Sequence, residues 1–425
     1  MHKNMLRQVE KSQTLLLNEQ SRNMENSGKT IYKFGFGQSP FLPIESAINA
    51  LRNNAQAKEY SPVQGILSLR EKVATFHSVV DGVKRSANDV LIAPGSKILI
   101  YAIMAAFKQA DVFVPVPSWV SYIPQAQLLG HNAVKIPTNF NDRWRLTPNQ
   151  LEAALRAKPN ADIPSILIIN YPGNPDGVTY SAHELEQLAE ILRRYNVLVI
   201  SDEIYGLLHH KGEHKSLASY YPEGTIVTTG LSKWCGAGGW RLGVALLPEN
   251  IDADFKETLL GIASETYSCA PTPIQIAACA AYEYSEVTKN YLNKQRKILS
   301  VIGNYCATEL AQAKIAVLPP EGGFYLFVDF SPLKDDLAKR GILTSSILCE
   351  KLLADTGVAL LPGTAFGMEE EHLCVRLAYV DFDGIKAMEY IDNCLEGKPA
   401  IEDICKKIVD GIDEIIAFLV NIKFN

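Results

Sequence analysis

The sequence predicts an α/β protein with two parts: a large domain in which helices cover both faces of a mostly parallel sheet, and a smaller α+β domain. Three observations predict this fold. Short apolar runs alternate with helical patterns over much of the chain, as in an open α/β sheet. Those runs are continuous rather than alternating, which is typical of parallel strands buried on both faces. Beyond about residue 285 the alternation gives way to a long polar helix and short strands.

A chain of 425 residues is long enough for one large domain with an appendage or for two domains. We expect a polar N-terminal arm at 1–30, a kind of segment that often packs on a neighbouring subunit. We expect the remaining chain to form an N-terminal part of the small domain at 31–55, a large domain at 56–285 and the C-terminal part of the small domain at 286–425. Apolar residues at helical spacing from Ile401 predict an amphipathic helix packed on the small domain.

Local signals in the sequence predict where individual elements begin and end. A short strand after the arm ends in a Gly-x-Gly break at Gly37, where the backbone can lie against a ligand. Thr147 before Pro148, and Ser181 with Glu184, are N-cap patterns that predict helix starts. The predicted strands of the large domain are an apolar run ahead of the Gly95 turn and the runs at 112–116, 165–169, 197–200 and 226–227.

Composition narrows the class of protein. The net charge is −6 without any block of basic residues, which argues against a nucleic-acid partner. No apolar run reaches the length of a membrane span, and the N-terminus lacks the pattern of a signal peptide. The eight cysteines form no Cys-x-x-Cys pair and are expected to be reduced, mostly buried thiols. We therefore expect a cytoplasmic protein that binds neither nucleic acid nor membranes.

One lysine, Lys233, stands between two β-like runs in a glycine-rich stretch and next to a tryptophan. An amine shielded from water in this way can attack a carbonyl and form a Schiff base. Arg241 follows eight positions later, and a guanidinium group is well shaped to hold a phosphate. On these residues alone, a solvated glycine-rich turn accounts for the stretch equally well.

Further motifs lie where an α/β sheet places ligands, at the carboxyl ends of strands. Asn170 to Gly177 follows one predicted strand, and Asp202 with Tyr205 follows the next. Gly95 to Lys97 makes a turn between a strand and a helix, where free N–H groups and the helix dipole favour an anion. Arg376 lies in a short strand near the C-terminus. Taken singly, Asp202 could equally be a helix cap, and Arg376 a surface ion pair.

Together these motifs resemble the class I/II aminotransferases, fold type I enzymes that depend on pyridoxal 5'-phosphate. The resemblance covers roughly residues 30 to 395, and the motifs occur in the order of the family. The family patterns S-K-x(5)-G-W-R-x-G, Asn-x-Pro-x-Asn-Pro-x-Gly and Asp-x-x-Tyr are matched, respectively, by Ser232-Lys233 with Gly239-Trp240-Arg241 and Gly243, by Asn170 to Gly177, and by Asp202 with Tyr205.

The resemblance implies a role for each matched residue. The catalytic residues would be Lys233, Asp202 and Tyr205. Lys233 would bind the cofactor and move a proton as general acid and base, and Asp202 would keep the ring nitrogen protonated. Tyr205 and Asn174 would hydrogen-bond the phenolic oxygen of the cofactor. Trp119 would stack on its ring and border the substrate, although on its own Trp119 is more typical of a core residue.

The resemblance also implies how the two ends of the site bind anions. The phosphate would be held by residues of the turn, by the arginine of the lysine motif and by a tyrosine from a neighbouring subunit, namely Gly95, Ser96, Lys97, Arg241 and Tyr60. Arg376 would bind the substrate α-carboxylate through paired hydrogen bonds, beside Asn174 and the backbone of Gly37. The implied assembly is a homodimer with shared active sites. Taken alone, Tyr60 is more typical of a core residue.

The sequence departs from the family pattern at two positions. Gly230 stands where many relatives have a serine that binds the phosphate, so Ser232 or Thr229 would have to compensate. Lys97, together with the segment 118–122, is similar to certain bacterial aspartate and prephenate aminotransferases, and could meet a distal carboxylate. An arginine that some aspartate enzymes supply is absent from 262–265. On balance we expect an acidic substrate.

The expected reaction is a ping-pong transfer of an amino group from an amino acid to a 2-oxo acid. A β-lyase with the same cofactor is an alternative, because the sequence does not determine which bond of the substrate Cα is broken. A regulatory module is a third reading, but the roughly 30 residues before Ile31 are too few for a helix-turn-helix domain. His209, His210 and His214 are expected to lie in an exposed loop without a metal.

Overall fold

The computed structural model describes residues 13–158, 160–393 and 401–420. Its helices are α1 (Gln13–Asn26), α2 (Glu45–Asn54), α3 (Leu67–Val80), α4 (Ser96–Ala105), α5 (Tyr122–Leu128), α6 (Pro148–Arg156), α7 (Ala182–Arg194), α8 (Ala253–Thr266), α9 (Thr272–Ala281), α10 (Glu286–Gln312), α11 (Lys334–Lys339), α12 (Ser345–Thr356), α13 (Gly384–Asn393) and α14 (Ile401–Val420). Its strands are β1 (Tyr32–Lys33), β2 (Val90–Ala93), β3 (Asp111–Val116), β4 (Asn132–Pro137), β5 (Ser165–Asn170), β6 (Leu198–Asp202), β7 (Thr225–Gly230), β8 (Gly243–Leu246), β9 (Tyr325–Asp329), β10 (Val358–Ala359), β11 (Leu361–Pro362) and β12 (Cys374–Ala378).

A seven-stranded sheet forms the centre of the molecule, in the order β2-β8-β7-β6-β5-β3-β4. Its pairs are parallel except at β8, which runs antiparallel to both of its neighbours. The predicted α/β architecture with a mostly parallel sheet is therefore confirmed. Strand β4 was not anticipated as an apolar run, because this edge strand carries mostly exposed or half-buried residues.

The local sequence signals act where they were expected. In α6 the Thr147 hydroxyl accepts from the backbone of Gln150, whose side chain accepts from the Thr147 backbone in return. Ser181 and Glu184 make the same reciprocal pair at the start of α7. Each pair satisfies backbone N–H groups that the first turn of a helix leaves unbonded. Both predicted helix starts are confirmed.

Two smaller sheets accompany the central one. Strands β11, β12 and β9 form an antiparallel sheet, and β1 pairs in parallel with β10. Strand β1 is only two residues long, shorter than the alternating pattern before Gly37 predicted. The segment 31–55 contacts both parts of the molecule, because β1 joins β10 while α2 packs against α9. The division into segments at 30, 55 and 285 remains a proposal, which the β1–β10 pairing supports.

Both terminal helices pack on the rest of the chain. In α1, Leu17 and Met24 contact a buried cluster around Leu353, so this part of the arm lies on its own chain. Helix α14 buries an apolar stripe against the small domain, which confirms the predicted amphipathic helix. The first twelve residues of the arm and Cys394 lie outside the described residues. Within the described ranges, no helix combines the length and the apolar character needed to cross a membrane.

Candidate active site

The carboxyl ends of β5, β6 and β7 lie side by side and carry the predicted motifs. In the sheet register Asn170 is opposite Asp202, and Asp202 is opposite Thr228. Lys233 and Arg241 follow in the connection between β7 and β8. Ligands of open α/β sheets bind in the crevice at these strand ends. The strand order therefore brings together motifs that are about 30 residues apart in sequence.

A cavity of about 570 Å³ opens at these strand ends. Most of the predicted site residues line it: Gly37, Ser96, Lys97, Trp119, Asn174, Asp202, Tyr205, Ser232, Lys233, Arg241 and Arg376. Gly95 lies behind the lining, because a Cβ built on it would meet the Arg241 guanidinium. Tyr60 lies outside the cavity with 89% of its surface exposed. Gly95 is thus adjacent to the site, whereas Tyr60 does not reach the site of its own chain.

The Asp202 carboxylate is buried at the bottom of the cavity. Its Oδ2 accepts a hydrogen bond of 2.7 Å from the Tyr122 hydroxyl. Its Oδ1 has no hydrogen-bond partner of good geometry among the described residues, although the backbone N–H of Ile204 and the Thr228 hydroxyl lie near enough to the carboxylate to lower the pKa of Asp202. Burial outweighs these contacts and raises the pKa of Asp202 to about 6. A buried carboxylate oxygen without a donor is suited to a ligand that supplies one.

Lys233 directs its amine into the cavity. Nζ donates a hydrogen bond of 2.8 Å to the carbonyl oxygen of Gly37. It lies 5.5 Å from the centroid of the Tyr205 ring and 5.6 Å from that of Phe324. The side chain is half-buried, so its amine is held by one carbonyl and two aromatic rings. Since this is its one hydrogen bond to the described residues, the amine is available to a ligand.

Tyr325, which the sequence analysis did not select, joins several of the predicted residues. Its hydroxyl lies 3.0 Å from that of Tyr205, and its ring lies 4.7 Å from the Arg376 guanidinium. Burial raises the pKa of Tyr205 well above its ordinary value, so this hydroxyl keeps its proton. In the sequence, Tyr325 is one residue of the apolar stretch that follows Gly322-Gly323. The position of a residue in a strand does not reveal which side chains it meets.

Arg376 is buried and held in a fixed orientation. Nη1 donates to the Asn174 side chain at 3.0 Å, and Nη2 donates to the Gly35 carbonyl at 2.6 Å. The guanidinium lies between the rings of Tyr325 and Phe366, and its Nε has no partner among the described residues. Burial lowers the pKa of Arg376 from its ordinary value. No carboxylate in the described part of the chain pairs with this cation, which makes it available to a carboxylate from outside.

Positively charged side chains line the cavity around the start of α4, which we call the phosphate-type end. Gly95 is the N-cap of this helix, with φ 97°, and Ser96 is its first residue. Arg241 adopts a left-handed conformation and donates to the carbonyls of Gly238 and Pro94 at 3.0 and 3.4 Å. A helix N-terminus next to a guanidinium group is a typical site for a phosphate.

Gly230 has a structural reason to lack a side chain. A Cβ built there would lie 2.5 Å from the Leu242 carbonyl oxygen, so a serine does not fit this strand position. Of the two residues expected to compensate, Ser232 lines the cavity, whereas Thr229 is buried outside its lining. Ser232 is the hydroxyl that remains available to an anion at this end.

Lys97 and Trp119 both line the cavity and contact each other. Lys97 Nζ lies 4.9 Å from the centroid of the Trp119 ring. Burial, followed by the charges of Arg241 and Lys233, lowers the pKa of Lys97. The flat Trp119 ring, the phosphate-type end and the free oxygen of Asp202 together fit a planar aromatic ligand that carries a phosphate and a protonated ring nitrogen.

The prediction of an exposed histidine loop was wrong. His209 and His214 are buried, because the backbone of His209 pairs with that of Gly322 while the ring of His214 packs on Tyr171. His210 is half-buried. His214 Nε2 lies 2.9 Å from the Glu203 carboxylate. Among the described residues, no group of His, Cys, Asp and Glu is arranged to hold a metal ion. The sequence around the histidines could not reveal this burial, since Gly322 and Tyr171, which contact His209 and His214, come from other parts of the chain.

The chain is similar to known proteins in both sequence and fold. The family described as aminotransferase class I and II matches residues 29–386. The chain is 29% identical to an aspartate aminotransferase of Geobacillus stearothermophilus, covering 91% of this chain and 97% of that one. It is 31% identical to a bifunctional aspartate aminotransferase and glutamate/aspartate-prephenate aminotransferase of Petunia hybrida, covering 87% and 77%. A Thermus thermophilus aspartate aminotransferase with maleate shares the fold, with a TM-score of 0.82, 23% identity and coverage of 97% and 100%.

Proposed function

The chain belongs to aminotransferase class I and II, whose members use pyridoxal 5'-phosphate, and from that premise we propose that it transfers an amino group between an acidic L-amino acid and a 2-oxo acid. The observation that carries the acidic substrate is the presence of Arg376 and Lys97 in one cavity. Two cations at separate points of a cavity suit a substrate with two carboxylates. The names of these two relatives, which include aspartate and, for one of them, glutamate, support the same choice.

We assign the cofactor end of the cavity as follows. The N-terminus of α4, Ser96, Ser232 and Arg241 would hold the phosphate, and Trp119 would cover the ring. The unbonded oxygen of Asp202 would accept a hydrogen bond from the ring nitrogen. When bound, pyridoxal 5'-phosphate supplies an electron sink for charge that develops on the substrate Cα.

The protein itself would bind, orient and move protons. Arg376 and Asn174 would hold the substrate α-carboxylate, since Arg376 is already fixed by hydrogen bonds and two aromatic rings. Lys233 Nζ would bind the cofactor and then carry a proton from and to the substrate Cα as general base and acid. Tyr205 would donate a hydrogen bond to the phenolic oxygen of the cofactor, because its raised pKa keeps the hydroxyl protonated.

The role of Lys233 is tested by borohydride reduction of the enzyme with bound pyridoxal 5'-phosphate, followed by peptide mass spectrometry. The adduct is expected on the peptide that contains Lys233 and on no peptide of Lys233→Ala. The variant should remain folded and lose about 10³-fold or more in kcat/KM, within the range for removal of a positioned proton carrier. An adduct on another lysine, or a variant with wild-type turnover, would contradict the assignment.

The substrate class is tested with aspartate, glutamate, alanine and phenylalanine as donors. Lys97→Ala should lower kcat/KM for the two acidic donors by about 10- to 100-fold, the effect of losing one charged hydrogen bond. It should leave the neutral donors nearly unchanged. Lys97→Arg is the matched control, because it keeps the charge and should retain the preference. An equal loss for acidic and neutral donors would refute the role of Lys97.

The reaction type is tested by adding one amino acid without an acceptor. Transamination should release one 2-oxo acid per active site and no ammonia. Continuous release of 2-oxo acid with ammonia would instead indicate elimination and contradict the proposed reaction.

We propose a cytoplasmic homodimer with shared active sites. Tyr60 is an exposed tyrosine that does not reach the cavity of its own chain, which supports a role in the site of a partner subunit. The cysteines of the described ranges are free thiols, which supports a reducing compartment. Light scattering should report a dimer. A monomer with full activity would contradict the shared site.

A further inference from the structure

One buried tyrosine contacts two of the residues proposed to hold the cofactor ring. Tyr122, the first residue of α5, is 1% exposed, and its hydroxyl donates 2.7 Å to Oδ2 of Asp202. Its ring meets the Trp119 ring edge to face, with centroids 5.2 Å apart. Tyr122 is among the residues that line the cavity, and its hydroxyl and ring are engaged by Asp202 and Trp119. Its influence on the cofactor would therefore pass through these neighbours.

The hydrogen bond from Tyr122 makes the two carboxylate oxygens of Asp202 different from each other. Tyr122 binds Oδ2, and Asn170 binds the Asp202 backbone carbonyl at 2.7 Å, so both ends of the residue are held. Oδ1 is the oxygen left without a partner in the described part of the chain. A phenolic hydroxyl stabilises the ionised carboxylate, which burial disfavours. Without that hydroxyl, Oδ2 would lose its donor and the carboxylate would take up a proton more readily.

We propose that Tyr122 is a positioning residue that keeps Asp202 ionised and presents its Oδ1 to the ring nitrogen of the cofactor. This inference rests on the proposed function, in which Asp202 binds that nitrogen. Tyr122 would act through one hydrogen bond, and its packing on Trp119 would contribute only a general support of the site. The two contributions can be separated, because only the first depends on a nitrogen in the ring.

The chain offers a matched control at the next carboxylate. Tyr171 is equally buried, and its hydroxyl lies 3.2 Å from Oε1 of Glu203. The Tyr171 hydroxyl also accepts a hydrogen bond from the backbone N–H of Leu217. Among the described residues, the Tyr122 hydroxyl accepts no corresponding hydrogen bond. Neither Tyr171 nor Glu203 lines the cavity. Tyr171→Phe therefore removes a tyrosine–carboxylate hydrogen bond beside the site without touching it.

The experiment measures the dissociation constants of full-length wild type, Tyr122→Phe and Tyr171→Phe, freed of cofactor, for two ligands. One is pyridoxal 5'-phosphate, and the other is its analogue with carbon in place of the ring nitrogen. Tyr122→Phe should weaken the cofactor by about 10- to 100-fold, the effect of a hydrogen bond to a charged group, and the analogue by less than about threefold. Tyr171→Phe should change neither constant by more than about threefold.

The outcomes separate the inference from the function on which it rests. Equal weakening of both ligands in Tyr122→Phe, or no weakening, would overturn the inference alone. Equal affinities of wild type for the two ligands would overturn the role of Asp202 in the proposed function. The same comparison in an Asp202→Asn background is a second test of the inference. There, the added change at Tyr122 should cost less than about threefold in cofactor affinity, and a full additive loss would refute the inference.

Discussion

The end of strand β6 separates two polar regions that carry neighbouring carboxylates. Asp202 lies in the cavity with one oxygen unpaired among the described residues, and burial raises its pKa to about 6. Glu203, the next residue, lies in a closed group that we call the back network. Its carboxylate is bonded on both oxygens within that network, which consists of Tyr171, Ser201, Glu203, His214 and Ser216.

The two regions show how burial of a charge serves different ends. In the back network, His214 and three hydroxyls satisfy the buried carboxylate, so breaking any contact costs stability. In the cavity, the protein leaves part of a buried carboxylate unsatisfied, which disfavours folding but provides an acceptor for a ligand. Functional sites commonly keep a buried polar group without a hydrogen-bond partner, although this lowers stability, whereas a structural network provides a partner for each such group.

The largest expected effect comes from Asp202→Asn, which keeps the size of the side chain but removes its charge. We expect kcat/KM to fall by at least about 100-fold, the typical effect of losing one preorganised electrostatic partner. The free energy of unfolding of the cofactor-free protein at pH 7 should not fall, since the buried charge disfavours folding. Steady-state kinetics and urea unfolding check both statements. A near-wild-type rate would remove the distinction between the two regions.

Glu203→Gln should show the reverse pattern. It leaves the buried His214 without a charged partner, and breaking a buried ion pair typically costs about 3 kcal/mol of unfolding free energy. Activity of the folded protein should stay within about threefold of wild type, because the back network does not line the cavity. Asp202→Asn is the matched control at the adjacent position. A large loss of kcat/KM without a loss of stability would contradict the assigned role of the back network.

The two regions should respond to pH in consecutive windows in the cofactor-free protein. Asp202 has a folded pKa of about 6 against 3.8 when unfolded, so between these values the folded state binds more protons and stability falls as pH rises. Burial opposes the charged form of His214, yet Glu203 raises its pKa above 6.5. The contribution of His214 is therefore full below about pH 6.5 and is lost as pH rises through the folded pKa.

These windows are checked by urea unfolding of wild type and both variants between pH 4 and pH 8. The stability advantage of Asp202→Asn should grow from about pH 4 to pH 6 and then level off. The deficit of Glu203→Gln should shrink above about pH 6.5. A deficit of Glu203→Gln that increased with pH would show that His214 is not protonated in the folded state.

The smallest expected effect is that of Ser216→Ala, which removes one hydroxyl donor, 2.8 Å from Glu203. We expect a loss of about 1.5 kcal/mol in unfolding free energy, the value for a hydrogen bond to a charged group. Affinity for pyridoxal 5'-phosphate should not change, and titration of the cofactor-free protein measures it. A weaker cofactor would mean that the back network also influences the cavity, and the comparison would need revision.

Much of the site could be predicted because it follows from local patterns. Buried parallel strands are recognisable as continuous apolar runs, and their carboxyl ends share one edge of the sheet. Asn170, Asp202 and Lys233 each follow such a run, and the structure gathers them around one cavity. The exposed Tyr60 stays a prediction, because its proposed role depends on a partner subunit.

The sequence by itself determined the fold class, the helix starts and the family, since these depend on periodicity, capping residues and motif order within short stretches. Only the tertiary structure decided what each buried polar group meets. The Tyr122–Asp202 hydrogen bond joins residues 80 positions apart, and Arg376 reaches Asn174 over 202 positions. The burial of His214 beside Glu203 and the exclusion of a side chain at Gly230 likewise depend on contacts across separate elements. Packing between distant segments sets these contacts, and no local pattern encodes them.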